Sequence, residues 1–215
     1  MSDSGSSVAV EAEPSVASDL FGDHIERARA FTAHLGERGE LLGLIGPLEP
    51  PRLWTRHILN CVLVAPLLWA GGRVADVGSG AGLPGMVLAI ARPDVHFVLI
   101  EPMERRVDWL LAETAVLGLT NVDVIRARAE DVSAAQLADQ VTARAVSSLT
   151  KLLPLVVPLA RSGGQLVLMK GASVDAELSA AAKVVRRLGL RDPEVVTVGD
   201  GAAVESTRVF RATVS

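Results

Sequence analysis

A chain of 215 residues, nearly half of them apolar, suits one domain around a single core with a short extension, and no apolar run approaches the roughly 20 residues that a membrane span needs. Cys61 is the one cysteine, which excludes an internal disulfide framework and a cysteine-clustered zinc site; with no basic region followed by an apolar core at the N-terminus, the reading is a cytoplasmic protein without a metal. The net charge of −4 resides in Asp3, Glu11, Glu13 and Asp19, and the balanced remainder, which contains no Tyr, excludes a strongly basic nucleic-acid binder or an aromatic stacking platform.

Residues 1–18, rich in Ser, Ala, Val and acidic side chains, are expected to form a disordered tail. From Asp19, the recurrence of Leu20, Ile25, Ala28, Phe31 and Leu35 predicts a helix closed by Gly36 and Gly39. Gly46-Pro47 and Pro50-Pro51 break the chain, and a helix is expected over 52–69, with Arg56, His57 and Asn60 near one another on one face. These segments make 19–70 a helical cap. After Gly71-Gly72, strands and helices alternate through 71–215, which implies parallel strands joined by crossovers. Strands are predicted at 73–77, 95–100, 122–126, 141–146 and 165–170, with helices at 84–91, 103–117, 150–160 and 175–188. Two closing strands, 194–198 and 207–213, are separated by Asp200-Gly201. Cap and sheet domain are expected to form one compact unit.

The richest stretch is Asp76-Val77-Gly78-Ser79-Gly80-Ala81-Gly82-Leu83-Pro84-Gly85, a strand-to-helix turn. Glycines there permit positive φ and let a ligand lie on the backbone, and the helix start offers free N–H groups. Pro84 fits the first helical turn. Two registers overlap. Gly80, Gly82 and Gly85 fit a dinucleotide fingerprint, and Glu101 stands at the next strand end, where a carboxylate can take both ribose hydroxyls. The register Asp76, Gly78, Gly80, Gly82 resembles the S-adenosylmethionine site of class I methyltransferases. Beyond the third strand, Ala129-Glu130 can meet an adenine: the acid accepts its exocyclic amine, and the preceding backbone N–H reaches a ring nitrogen.

At the fourth strand end stands Thr142-Ala143-Arg144-Ala145. Neither the Asn/Asp-Pro-Pro-aromatic tetrad of amino-group methylases nor a nucleophilic cysteine is there, and Cys61 is read as a packing residue. An acceptor that already offers a lone pair and carries no proton fits this absence, and guanine N7 is such an atom. Catalysis would then be alignment, with Arg144 or Lys170 donating hydrogen bonds to the guanine edge or a phosphate.

The run Asp76 to Gly85, Arg56-His57-Ile58-Leu59, Ala129-Glu130, Thr142 to Ala145 and Leu168-Met169-Lys170-Gly171 occur in order over about residues 20–215. Together they resemble the bacterial small-subunit rRNA N7-guanine methyltransferase family, also called glucose-inhibited division protein B. The resemblance implies an α/β fold: a class I, Rossmann-like methyltransferase sheet, mostly parallel with an antiparallel last strand, and a small N-terminal helical cap. It also implies S-adenosylmethionine as donor and a guanine in the decoding-region loop of 16S rRNA as acceptor. Carried over by motif, the cofactor contacts are Gly78, Leu83, Ala129, Glu130 and Arg144; Asp76, Ser79, Gly80, Gly82 and Glu101 join them from the turn and ribose arguments. The chain departs from the family where Asn60-Cys61 follows His57-Ile58-Leu59 in place of Asp-Ser, and where 43–47 replaces an Asn-Leu-Thr segment.

The RNA-facing set is expected to be Arg56, His57, Arg105, Arg106, Lys151 and Lys170, with Arg52 and Arg144 completing a basic rim around the cofactor cleft. His57 is weighed toward a hydrogen-bonded structural histidine. The partner is 16S rRNA or the small ribosomal subunit, met by a monomer. Two other readings stay open: an NAD(P)-dependent oxidoreductase using the Gly80, Gly82, Gly85 register, without a Tyr/Lys relay, and a non-catalytic S-adenosylmethionine or nucleotide-sensing partner protein.

Overall fold

The structure is a computed structural model and describes residues 9–132, 137–144, 146–199 and 204–215. The glycine-punctuated alternation builds a seven-stranded sheet in the order β3-β2-β1-β4-β5-β7-β6. Its strands are β1 (Arg73–Val77), β2 (His96–Ile100), β3 (Val122–Ile125), β4 (Ala138–Arg144), β5 (Ala160–Lys170), β6 (Arg191–Val198) and β7 (Thr207–Thr213). β1 to β5 pair in parallel, and β7 runs antiparallel to both β5 and β6. The order reverses between β1 and β4, which places a crevice at their carboxyl ends. Asp76 pairs with Leu99 of β2 and Thr142 of β4, so the acid stands at that reversal.

Side chains alternate across the sheet with period two. Phe97 and Leu99 of β2 join a cluster with Phe31, Leu35, Leu53, Trp54 and Ile58, so the cap residues share that core; Val98 and Ile100 join the opposite cluster. The first face is covered by α2 (Ile25–Arg38), α4 (Gly85–Ala91) and α5 (Glu104–Val116). The second is covered by α6 (Leu149–Val156) and α7 (Val174–Arg187). Pro84 is the N-cap of α4 rather than a residue of its first turn, and Gly189, at φ 65°, follows Leu188 beyond α7.

Two expectations about the cap are corrected. Residues 9–18 do not form a loose tail. Glu11 donates its N–H to the Pro50 carbonyl, its carboxylate accepts the Thr55 N–H at 2.9 Å, Glu13 grips Arg29, and helix α1 (Val16–Phe21) buries Ala17. The acidic residues find partners more than fifteen positions away, which local composition cannot reveal. Residues 52–69 are not one helix. A 3-10 turn (Pro50–Arg52) leads into a π-helix (Leu53–Leu59), then a single α-turn, α3 (Asn60–Val62), and a 3-10 turn (Ala65–Leu67). Pro66, lacking an N–H, sits in the last turn, where the path changes. The wider π-turn leaves Arg56 exposed while burying His57.

The cap's end is pinned to the sheet by Gln140, which is fully buried in β4. Its Oε1 accepts the Trp69 N–H at 2.7 Å, and its Nε2 donates to the Leu67 carbonyl at 2.9 Å and to Gln165 at 3.1 Å. The Asp200-Gly201 turn expected between the last strands lies outside the described residues. Among the described residues, no helix is long and apolar enough to cross a membrane.

Candidate active site

The glycine turn leaves β1 and folds back on itself. Gly78, Gly80 and Gly82 have φ of 70°, 55° and 96°, a region that costs a side-chain-bearing residue strain. The N–H groups of Gly78 and Ser79 donate to the Ile100 carbonyl at 2.9 and 3.2 Å, tying the turn to β2, and the Gly82 N–H closes onto the Ser79 carbonyl at 2.7 Å. Gly85 is required for another reason. A Cβ there would stand 2.3 Å from Leu99 and 2.5 Å from Asp76 Oδ2, so helix and strand meet only because the side chain is missing.

Asp76 is fully buried beneath this turn. Its Oδ2 accepts the Gly85 N–H at 3.1 Å, while Oδ1 has no hydrogen-bond partner among the described residues. Burial pushes the carboxyl up to about 7; the nearby Ser79 hydroxyl, which donates to the Asp76 main-chain carbonyl, and the Gly85 N–H oppose the rise, and the Glu101 charge adds to it. From the opposite side Trp109, on α5, donates its indole N–H to the Ala81 carbonyl.

Glu101, only 2% exposed, is committed on both oxygens: one accepts the Gly80 N–H at 3.0 Å and the other the Met103 N–H at 3.0 Å, with Arg106 at 3.9 Å. A carboxylate has about four lone-pair sites, so each oxygen keeps capacity for a hydroxyl. Ala129 and Glu130 lie on a 3-10 turn (Ala129–Asp131) after β3, Glu130 facing solvent. The three strand-end features therefore run in sequence along one edge.

A cavity of about 280 Å³ lies over the turn, walled by Gly78, Ser79, Gly80, Ala81 and Leu83 below, Arg106 and Arg144 at the sides, and Leu44, Ile45, Glu49 and His57 of the cap above. Arg144 ends β4 and is held by the cap: Nη2 lies 2.6 Å from His57 Nδ1 and 3.4 Å from the Arg56 carbonyl, and Nη1 donates to Cys61 Sγ at 3.3 Å. His57 Nε2 lies 2.6 Å from Glu49 Oε2, and Arg52 also pairs with Glu49. Burial holds His57 below the usual imidazole range; the Arg144 charge works in the same direction and Glu49 against it. Burial likewise pushes the Cys61 thiol up, which agrees with its packing role.

On the far side of Arg144 a second cavity, about 680 Å³, is bounded by Arg56, Asn60, Arg144, Lys170, Thr207 and Arg208 among others. Arg144 is thus common to both spaces.

The expected basic rim is only partly brought together. Arg106 and Arg144 wall the first cavity, and Arg56, Arg144 and Lys170 the second. Lys170 is not a free donor, since its ammonium bonds the Ser147 carbonyl at 2.7 Å and Glu177 at 2.8 Å and is 9% exposed. Arg105 is exposed against Gly43 and bounds a separate cavity with Arg38 and Asp108. Lys151 is exposed on α6 and walls neither space. His57 is buried with both ring nitrogens engaged, so it is not placed to meet RNA directly. Ala145 lies outside the described residues.

Three residues escaped sequence reasoning. Glu49 precedes the Pro50-Pro51 break, and its one local signal is an acid three positions before Arg52. Trp109 lies within an apolar helical repeat, where an indole N–H has no local signature. Arg208 is one charge within a strand pattern; in the fold it borders the second cavity and pairs with Asp175 at 2.6 Å.

A family model described as rRNA small subunit methyltransferase G matches residues 24–205. The ribosomal RNA small subunit methyltransferase G of Leifsonia xyli subsp. xyli is 63% identical over 206 residues, covering 96% of this chain and 98% of that protein. The protein of the same name from Clavibacter michiganensis subsp. michiganensis is 62% identical over 208 residues, covering 97% and 98%. That of Corynebacterium glutamicum (strain R) is 47% identical over 200 residues, covering 92% and 90%. Among solved structures, M. jannaschii TYW2 in complex with AdoMet superposes with a TM-score of 0.56 at 20% identity, over 76% of this chain and 78% of that one. A SAM dependent methyltransferase from Aquifex aeolicus gives 0.52 at 21% identity, over 69% and 85%. These structural likenesses concern the fold, which is the sheet expected from the resemblance.

Proposed function

From the premise that the chain belongs to the rRNA small subunit methyltransferase G family, we propose that it transfers a methyl group from S-adenosylmethionine to N7 of a guanine in the decoding-region loop of 16S rRNA. It does so in the cytoplasm, as a monomer acting on 16S rRNA or the small subunit. The observation that carries the reading is the place of Arg144, which walls the cavity over the glycine turn and the basic cavity beside it. A residue between donor and acceptor spaces is where a group transfer is aligned.

The residues present fit the donor. Gly78 and Gly80 offer bare backbone as a floor, Asp76 Oδ1 is a buried carboxyl oxygen without a partner among the described residues, and Glu101 stands one strand over with lone pairs to spare. When bound, S-adenosylmethionine supplies a methyl carbon made electrophilic by the adjacent sulfonium. The chain's own part is to hold and orient. The turn carries the methionine end, Glu101 takes the ribose hydroxyls, and the Ala129-Glu130 turn meets the adenine. Arg144 donates to the guanine edge at O6 and leaves N7 free. Guanine N7 has a lone pair and no proton, so alignment does most of the work and no base is needed. The basic second cavity, through Arg56 and Arg208, receives the phosphates on either side of the target.

Family membership sets aside the nicotinamide reading of Gly80, Gly82 and Gly85. The sensor reading differs from the enzyme in turnover alone. Incubation with labelled S-adenosylmethionine and small subunits from a strain lacking this methylation tests it: label at guanine N7 of 16S rRNA is expected. Binding of S-adenosylmethionine with no label, or label at another atom, would overturn the proposal.

A further inference from the structure

We propose that Glu49 and His57 are positioning residues for the methyl transfer: their hydrogen-bonded chain fixes the Arg144 guanidinium between the two cavities. The inference rests on the methyltransferase reading above. Its starting point is the direction of the protons. A guanidinium can only donate, so at 2.6 Å from Arg144 Nη2 the His57 Nδ1 must be the acceptor. The ring proton then sits on Nε2 and donates to Glu49 Oε2, also at 2.6 Å. Only one arrangement satisfies all three groups: Arg144 N–H to Nδ1, and Nε2–H to the carboxylate.

The charged groups facing the imidazole are Glu49, Arg144 and Arg56, with Arg52 pairing to Glu49 from outside. A second proton on the ring would set one cation against another and break the Arg144 bond. Because the side chain of arginine is long and loses much rotamer freedom when ordered, a fixed acceptor settles where its remaining N–H groups point. The bonds to His57, the Arg56 carbonyl and Cys61 engage three of the five N–H groups; the others are available to a ligand in either cavity.

The segment between Glu49 and His57 is itself clamped. Glu11 donates to the Pro50 carbonyl and accepts from both the Thr55 N–H and its hydroxyl. Both ends of the chain that holds Arg144 are therefore braced by the same N-terminal residue, and the arrangement is formed before any substrate arrives. Preorganisation of this kind acts on kcat rather than on binding.

The test compares His57→Ala, His57→Asn, His57→Gln, Glu49→Ala and Glu49→Ala/His57→Ala with the wild-type protein. Four readouts are taken: single-turnover methylation of small subunits, KM for the subunit, S-adenosylmethionine affinity by calorimetry, and Tm. His57→Ala is expected to lose roughly 10- to 100-fold in kcat, with KM and donor affinity changed by less than about threefold. The asparagine carbonyl falls near Nδ1 and glutamine reaches toward Nε2, so His57→Asn should recover part of the loss and His57→Gln should not. The double variant should cost no more than the larger single one, as members of one chain do. Wild-type kcat in His57→Ala, equal rescue by Asn and Gln, or losses that simply follow Tm would each overturn the positioning role. Absence of transfer by the wild-type protein would instead sink the methyltransferase reading.

Discussion

The indole N–H of Trp109 donates to the carbonyl oxygen of Ala81 across 3.0 Å, joining α5 to the middle of the glycine turn. Trp109 is held in turn by the Phe31 ring, 6.4 Å between centroids, and by the Arg38 guanidinium 5.4 Å from its own. Trp109→Phe keeps most of the bulk and leaves the Ala81 carbonyl without this donor, at a cost of about 1 to 3 kcal/mol. Calorimetry should show donor affinity falling by about tenfold, since 1.4 kcal/mol is a factor of ten. Unchanged affinity would mean that the turn keeps its shape without the indole.

Asp76 titrates near 7 in the folded chain against 3.8 for a free carboxyl, chiefly because of burial. The native state therefore keeps a proton that the unfolded state has lost, so this group's stabilising contribution is full below about pH 3.8 and is lost as pH rises through about 7. Asp76→Asn stays neutral throughout. Its Tm advantage over the wild type should grow between about pH 4 and pH 8 in scanning calorimetry, and a difference flat with pH would contradict the buried, protonated carboxyl.

Salt dependence separates the cations that border the second cavity from those that do not. Arg56→Ala and Arg208→Ala should each flatten the slope of log binding against log salt for rRNA by about one, whereas Lys151→Ala should leave it unchanged. Filter binding over a salt series reads this directly. Equal effects from all three would place Lys151 on the RNA after all.

Lys170 is expected to behave as a structural residue. Lys170→Met strands Glu177 beside the Leu149 N–H and should cost about 2 kcal/mol, with Lys170→Met/Glu177→Leu recovering much of it in urea denaturation. A loss of rRNA affinity without loss of stability would restore the direct role.

Gln140→Leu removes the partners of the Trp69 N–H, the Leu67 carbonyl and Gln165 together. A destabilisation of about 3 kcal/mol is expected by denaturant titration, and a loss below about 1 kcal/mol would mean that the freed groups find water.

The sheet and the turn were legible because backbone demands wrote them into the sequence: the glycines at 78, 80 and 82 take positive φ, and the acids at 76 and 101 stand at strand ends. Strand limits slipped by a few residues where β5 begins as early as Ala160, through Gly163-Gly164. The roles of the cations were not legible. Lys170 and Arg105 look alike as charges, and only the arrival of Glu177 on α7, or of Gly43 against the guanidinium, decides what each can touch. The cap failed for a related reason. Helical spacing placed Arg56 and His57 together, but the π-helix turns one outward and the other inward. Residues 9–18 lacked periodicity because their order comes from Pro50, Thr55 and Arg29 rather than from themselves.

The sheet order has a consequence for synthesis on the ribosome. β7 lies between β5 and β6, so β6 emerges first and has to wait for a later strand before it can join the sheet. β1 pairs with both β2 and β4 without β7, and these three strands carry the glycine turn, Glu101 and Arg144. Thr207 and Arg208, which close the second cavity, arrive with β7 itself. In a chain folding as it is translated, the strands under the glycine turn are complete before the β7 residues that bound the second cavity have been made.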